Sequence, residues 1–224
     1  MKPAAKGMGS MKESAVAHLE TLLGRYPVLS VARDSLGRAL ALMTDSLSAG
    51  GKLLICGNGG SASDSEHIAG ELMKGFCLKR RPPESDLAKL RAVFGPEEEA
   101  VLRFQKGIPA LSLNGHPSLA TAISNDLDPY LVYAQQVYVL GRGGDVLLGL
   151  STSGNARNVI NACKTAKAFG LIAIGLCGGN ACKMDAICDC VIHVPEVETY
   201  RVQELHLPVY HALCLALEEE FFGE

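Results

Sequence analysis

Leu53-Leu54-Ile55-Cys56-Gly57-Asn58-Gly59-Gly60-Ser61 decides the fold, because it has a counterpart in Asp145-Val146-Leu147-Leu148-Gly149-Leu150-Ser151-Thr152-Ser153-Gly154-Asn155. In each stretch an apolar run reads as a buried strand. A tight Gly/Ser loop follows, and then a segment with helical spacing. That succession makes an anion site in an α/β protein. The first turn of a helix offers unpaired N–H groups and the positive end of its dipole. Glycine lets the backbone approach a ligand, and Ser or Thr adds hydroxyl donors.

Working outward, Ser10-Met11-Lys12-Glu13 has the form of a capping box opening a helix, with Val16, Leu19, Leu22 and Leu23 on one face, that ends near Tyr26-Pro27. A second helix is expected from about Val31, with Leu36, Leu40, Met43 and Leu47 inward, to Gly50-Gly51. Residues 77–107 mix Arg80-Arg81-Pro82-Pro83 with Glu97-Glu98-Glu99 and read as an inserted excursion rather than core, with short helices at Asp86–Phe94 and Pro96–Phe104. Strands follow at Pro109–Leu113, Asp145–Leu150, Leu171–Leu176 and Ile187–Val194. Between them lie helices around Leu119–Ile123, Tyr130–Leu140 and Val159–Phe169, and a last helix covers Tyr200–Phe222. Alternating strands and helices predict an α/β fold, a doubly wound parallel sheet flanked by helices. A single domain, 1–224, is expected, with N-terminal helices in 1–50 and ligands at the carboxyl ends of the strands.

Composition sets bounds. A formal net charge of −3 gives no electrostatic footprint for nucleic acid. No apolar run approaches the roughly 20 residues that span a bilayer, so no membrane partner is expected. The first residues lack the apolar core of a secretion signal. Most of the eight cysteines, among them Cys56, Cys163, Cys177, Cys190 and Cys214, sit in apolar runs, as reduced buried thiols of a cytoplasmic protein would. Cys177, Cys182, Cys188 and Cys190 do not form paired C-x2-C spacings, so a structural zinc site is not expected of them.

His67 and Glu71 stand at i and i+4, on one helix face, a spacing common to metal sites and to plain surface pairs. The last helix holds Gln203, Glu204, His206 and His211 among leucines and valines. Spacing alone leaves their roles open: Glu204 and His211 align best, Gln203 and His211 lie about 12 Å apart along an ideal helix unless Pro208 distorts it, and one histidine can belong to the core. Ser151-Thr152-Ser153, with more hydroxyls than an N-cap needs, reads as a phosphate cradle. Gly57-Asn58-Gly59-Gly60 has neither the Walker lysine nor the G-x-G-x-x-G pattern, which argues against ATP and NAD. Asn125-Asp126 is either a helix stop or a donor and acceptor for sugar hydroxyls.

In combination, Gly57–Ser61, His67, Glu71, Asn125-Asp126, Gly144–Asn155, Gln203-Glu204-Leu205-His206 and His211 resemble the phosphoheptose isomerases of the sugar-isomerase (SIS) domain family. The resemblance implies a flavodoxin-like three-layer sandwich, conversion of sedoheptulose 7-phosphate to D-glycero-D-manno-heptose 7-phosphate, and a homotetramer. It implies Zn²⁺ held by His67, Glu71, Gln203 and His211. Substrate contacts would come from Asn58, Gly59, Gly60, Ser61, Glu71, Asn125, Asp126, Ser151, Thr152, Ser153 and Gln203. Aldose–ketose isomerisation needs a base at carbon and an acid at the neighbouring oxygen, and Glu71 and His211 are the catalytic candidates. Ala156, Tyr200 and Gly75 depart from the family pattern, and compact members lack the 77–107 excursion. Some members are binding proteins or replication scaffolds; the scaffolds lack the Glu and final His that are present here as Glu71 and His211.

Overall fold

The computed structural model describes residues 11–223. Among them are five strands, β1 (Leu53–Gly57), β2 (Ala110–Ser112), β3 (Val146–Leu150), β4 (Ile172–Cys177) and β5 (Cys190–His193). Eight α-helices accompany them: α1 (Glu13–Arg25), α2 (Arg33–Ser48), α3 (Gly60–Met73), α4 (Glu84–Phe94), α5 (Pro117–Asp126), α6 (Val132–Leu140), α7 (Arg157–Ala168) and α8 (Thr199–Phe222). The sheet runs β2-β1-β3-β4-β5 and every pairing is parallel. β1 and β3 are buried at every residue, as strands covered on both faces must be. On one face α1, α2, α3 and α8 pack Leu19, Leu40, Leu72 and Leu213 against Leu53, Ile55 and Leu148. On the other, Tyr133, Val137, Val159 and Cys163 from α6 and α7 meet Leu54 and Leu147. This is the expected doubly wound sheet. Its order reverses between β1 and β3, so the loops after those strands open beside the crevice where such sheets bind ligands.

The differences from expectation are local. Ser10 lies outside the described residues, and α1 starts at Glu13 with no side-chain cap at Lys12. A 3₁₀ turn, Pro27–Ala32, delays α2 to Arg33. The helix expected at Pro96–Phe104 is a 3₁₀ turn at Glu99–Arg103. The last strand is shortened to Cys190–His193 because Lys183–Ala186 coils into another 3₁₀ turn before it. α8 runs unbroken through Pro208.

The excursion is tied down more firmly than its composition suggests. Arg80 and Glu218 are buried and paired at 2.8 Å. Glu218 also accepts from the backbone N–H groups of Phe76 and Cys77, both at 2.8 Å. Arg80 donates to the carbonyls of Leu72 (2.6 Å) and Glu71 (3.2 Å) and lies 4.7 Å from the Phe222 ring centroid. Its charge is therefore spent on the fold and does not serve the cleft. The two ends of the excursion meet: Gly75 N–H donates to Gln105, Lys106 N–H to the Arg80 carbonyl, and Ile108 N–H to the Leu72 carbonyl.

His206 is the core histidine of the final helix, with no exposed surface. Burial pushes it down to about 4, against a partial upward pull from the Cys177 backbone. Unfolded, it titrates near 6.5, so the unfolded chain binds the proton first as pH falls. Its share of stability is complete above that value and is lost toward pH 4. Urea unfolding should show about 2 kcal/mol lost to this group between pH 7 and pH 5. His206→Leu should remove that part of the slope; an unchanged slope would refute the assignment.

Candidate active site

Two helix starts converge at the switch point. The loop from β1 to α3 and the loop from β3 toward α7 each turn through a glycine at positive φ, Gly59 at 56° and Gly154 at 61°, where other residues are strained. Gly59 and Ala156, the N-cap positions of α3 and α7, make no side-chain cap bond. Asn58, Gly59, Gly60 and Ser61 line a cavity of about 370 Å³ with Ser151, Thr152, Ser153, Thr199 and Gln203. Gln203 stands so close to Gly60 that a Cβ there would collide with its amide. Two helix N-termini and five hydroxyl residues, Ser61, Ser151, Thr152, Ser153 and Thr199, around one hollow fit a phosphate.

Replacing Ser151 and Ser153 together with alanine should raise KM for a phosphorylated sugar about ten-fold or more, with a smaller change in kcat, because the lost contacts are to a charged group remote from the reacting carbons. Steady-state kinetics checks this, and an unchanged KM would place the phosphate elsewhere.

A polar network absent from the sequence reading fixes the first loop. Asn114 donates to the Gly57 carbonyl (2.9 Å) and to Tyr133 Oη (2.8 Å). The Tyr133 hydroxyl reaches both the Gly57 carbonyl and Asn58 Oδ1, and Asn158 donates to the same Asn58 oxygen at 2.8 Å. These residues come from separate elements, so no local spacing announces them.

His67, Glu71 and His211 form a second group, outside the lining of the phosphate cavity. α3 and α8 lie side by side, so Gly60 meets Gln203 at one end and, two turns on, His67 meets His211, ring centroids 5.0 Å apart. His67 Nε2 is 3.2 Å from Glu71 Oε1, and Lys74 Nζ is 2.7 Å from Oε2. Burial works to raise Glu71, but the bond and charge of Lys74, then His67, outweigh it and hold the carboxyl below its usual range. Burial, then the neighbouring His67, lowers His211, with Glu71 pulling the other way. Glu71 is thus ionised and His211 neutral at pH 7. Tyr210 Oη lies 3.2 Å from Asp64 Oδ1 and 3.1 Å from His67 Nδ1, and it orients the ring. Asp64 stands one turn before His67, which is the sequence signal that could have found it.

The cluster suits a cation. His211 Nε2 is buried with no hydrogen-bond partner. With the Tyr210 proton on Asp64, His67 Nδ1–H donates to Tyr210 and its Nε2 lone pair faces a carboxylate, an arrangement that a positive charge between them completes. His67 stands beside Glu71 and beside His211, while the fourth expected ligand, Gln203, lines the phosphate cavity. Asn125 and Asp126 end α5 exposed and bonded to each other at 2.9 Å, and they line neither the cavity nor the cluster. The cysteines outside this cluster also come together. Cys177 and Cys182 meet His193, their ligand atoms within 4.8 Å of one another, a group that could hold a metal. No helix among the described residues is long and apolar enough to cross a membrane.

Comparison with known proteins agrees with the fold. The SIS domain model matches residues 27–101 and 101–178. The phosphoheptose isomerase of Rhodospirillum rubrum is 35% identical over 209 residues, covering 93% of this chain and 98% of that protein. The enzyme of the same name from Helicobacter pylori strain Shi470 is 37% identical over 213 residues, covering 95% and 96%. Among solved structures, phosphoheptose isomerase GmhA from Neisseria gonorrhoeae superposes with a TM-score of 0.68 at 32% identity, over 90% of this chain and 95% of that one. With its sheet, its paired Gly/Ser loops and these relatives, the chain belongs to the SIS domain family and is a sugar-phosphate isomerase of the phosphoheptose isomerase kind.

Proposed function

We propose that the chain, working as one SIS domain in a homotetramer, converts sedoheptulose 7-phosphate to D-glycero-D-manno-heptose 7-phosphate. The observation that carries this reading is the grouping of Glu71, His67 and His211, with the Glu71 carboxyl held below its usual range and His211 lowered by burial, on helices whose other ends border a phosphate-sized cavity. Asn58 to Ser61, Ser151 to Ser153 and Gln203 would hold the phosphate and the sugar chain. Glu71 would take the proton from carbon, once exposed Lys74 swings off Oε2, and return it to the adjacent carbon. His211 would hand a proton between the two oxygens through the ring nitrogen that holds no cation. Zn²⁺ would be held by His67, Glu71 and His211, with Gln203 as the further expected ligand, and when bound it supplies polarisation of the carbonyl. The cavity and the cluster are separate within one chain, which supports completion of each site at a subunit contact. Asn125 and Asp126, exposed at the end of α5, would then meet substrate only through such a contact.

The test is a panel of phosphosugars of different chain length, with purified protein and measured zinc. The expected result is turnover of sedoheptulose 7-phosphate above the others, and loss of zinc in His67→Ala and His211→Ala. Saturable phosphate binding with no turnover of any sugar would make the protein a binding module and overturn the reading.

A further inference from the structure

We propose a second metal site, distinct from the His67 cluster, in which Cys177, Cys182 and His193 take a thiophilic divalent cation of the zinc class and clasp the outer edge of the Ser151–Asn155 loop. Cys177 ends β4 and His193 ends β5, and the two are register partners. Cys182 arrives from the connection between those strands and opens the 3₁₀ turn Lys183–Ala186.

The distances suit one small ion. Cys177 Sγ lies 3.9 Å from Cys182 Sγ and 3.4 Å from His193 Nδ1. Tetrahedral bonds of the usual Zn–S and Zn–N lengths put such atoms roughly 3.8 and 3.6 Å apart. Two sulfurs and one imidazole favour zinc over the oxygen-seeking magnesium and calcium. The fourth position falls to the Gly178 carbonyl, 2.7 Å from His193 Nδ1.

The histidine supplies a separate argument. Its Nδ1 is 2.7 Å from the Gly178 carbonyl, and its Nε2 is 2.7 Å from Asp185 Oδ1. Both nitrogens face acceptors, and a neutral ring has one N–H to give. A cation at Nδ1 takes that nitrogen's lone pair, turns the Gly178 carbonyl from a proton acceptor into a ligand, and leaves Nε2–H to Asp185, the carboxylate–histidine–metal relay of many metal sites. Asp185 is itself fixed by the Cys182 backbone N–H at 2.8 Å.

The group also abuts the phosphate loop. A Cβ at Gly154 would collide with Cys182 Sγ. Gly178 N–H donates to the Thr152 carbonyl at 3.0 Å, and Lys183 N–H to Asn155 Oδ1 at 3.0 Å. A bound ion would therefore join the ends of β4 and β5 to the segment on which the loop rests.

Cobalt(II) titrated into the reduced, metal-stripped full chain tests this. The expected result is a sulfur-to-cobalt charge-transfer band in the near ultraviolet. It should persist in His67→Ala, since the first cluster has no sulfur ligand, and be lost in Cys177→Ser and Cys182→Ser. Asp185→Asn should keep the band and weaken cobalt binding about 10–100-fold. Half-exposed Cys182 and Asp185 give variants that fold even if Cys177→Ser does not. Absence of the band in the wild type, its survival in Cys182→Ser, or a Cys177–Cys182 disulfide in a protein whose reduced form takes up no cobalt would each overturn the site.

Discussion

Glu71→Gln should lower turnover by about 10²–10⁴-fold, the range expected when a general base is removed, and leave unfolding by urea unchanged. The substitution keeps the side-chain shape and its hydrogen-bond reach to His67, so what it removes is the negative charge and the proton-accepting oxygen. The carboxyl sits on α3 with one oxygen toward His67 and the other toward Lys74. The Lys74 ammonium, and then the contact with His67, hold the carboxyl below its usual range against the cost of burial. An amide cannot accept a carbon-bound proton at neutral pH, and the neighbouring carboxylate Asp64 is engaged with Tyr210. Single-turnover kinetics with deuterium at the transferred position separates chemistry from binding. Turnover within a few-fold of wild type would remove Glu71 from the reaction.

Arg80→Ala should be the most damaging substitution for stability, at about 3–5 kcal/mol, because it strands a buried carboxylate. Glu218 would keep its two backbone donors from Phe76 and Cys77 but lose its counter-charge. The carbonyls of Leu72 and Glu71 would lose their guanidinium donor as well. Neighbouring Arg81 is exposed, and Arg81→Ala should change stability by no more than about 0.5 kcal/mol. Urea midpoints for the pair give the answer; equal midpoints would show that the Arg80 pair does not hold the fold. Since Phe76 packs on His211 at 5.5 Å between ring centroids, the Arg80 variant should also lose activity at temperatures where it remains folded.

The sheet was legible because its signals are local. Apolar runs such as Leu53–Ile55 and Val146–Leu150 stand next to Gly/Ser loops, and a parallel sheet covered on both faces writes itself as continuous hydrophobicity. His67 and Glu71 were legible for the same reason, being one helical turn apart. What escaped needed two distant segments at once. Cys177 and His193 are brought side by side by strand register, and a search by C-x2-C spacing cannot see that pairing. Arg80 reads in sequence as one charge of a solvated run, yet it is buried because Glu218 approaches it from α8. The Tyr133–Asn114–Asn158 network joins three elements around Asn58. Asn125 and Asp126, conversely, carried a motif-level signal, but within one chain the fold leaves them exposed and apart from the cavity.

The stitched neck of the 77–107 excursion bears on how this protein can change. Its two strands of chain are joined by Gly75 to Gln105, Arg80 to Lys106 and Leu72 to Ile108. Everything beyond that neck hangs from a closure already made. Lengthening the tip around Gly95-Pro96 then costs little, since each doubling of a flexible loop adds only about 0.6 kcal/mol of closure entropy. The proton-transfer residues sit on the near side of the neck, so the tip can drift in sequence, acquire a recognition element or accept a grafted peptide without passing a register error into the helix that carries Glu71. The excursion is in that sense an evolvable appendage whose freedom begins where the buried Arg80 pair ends.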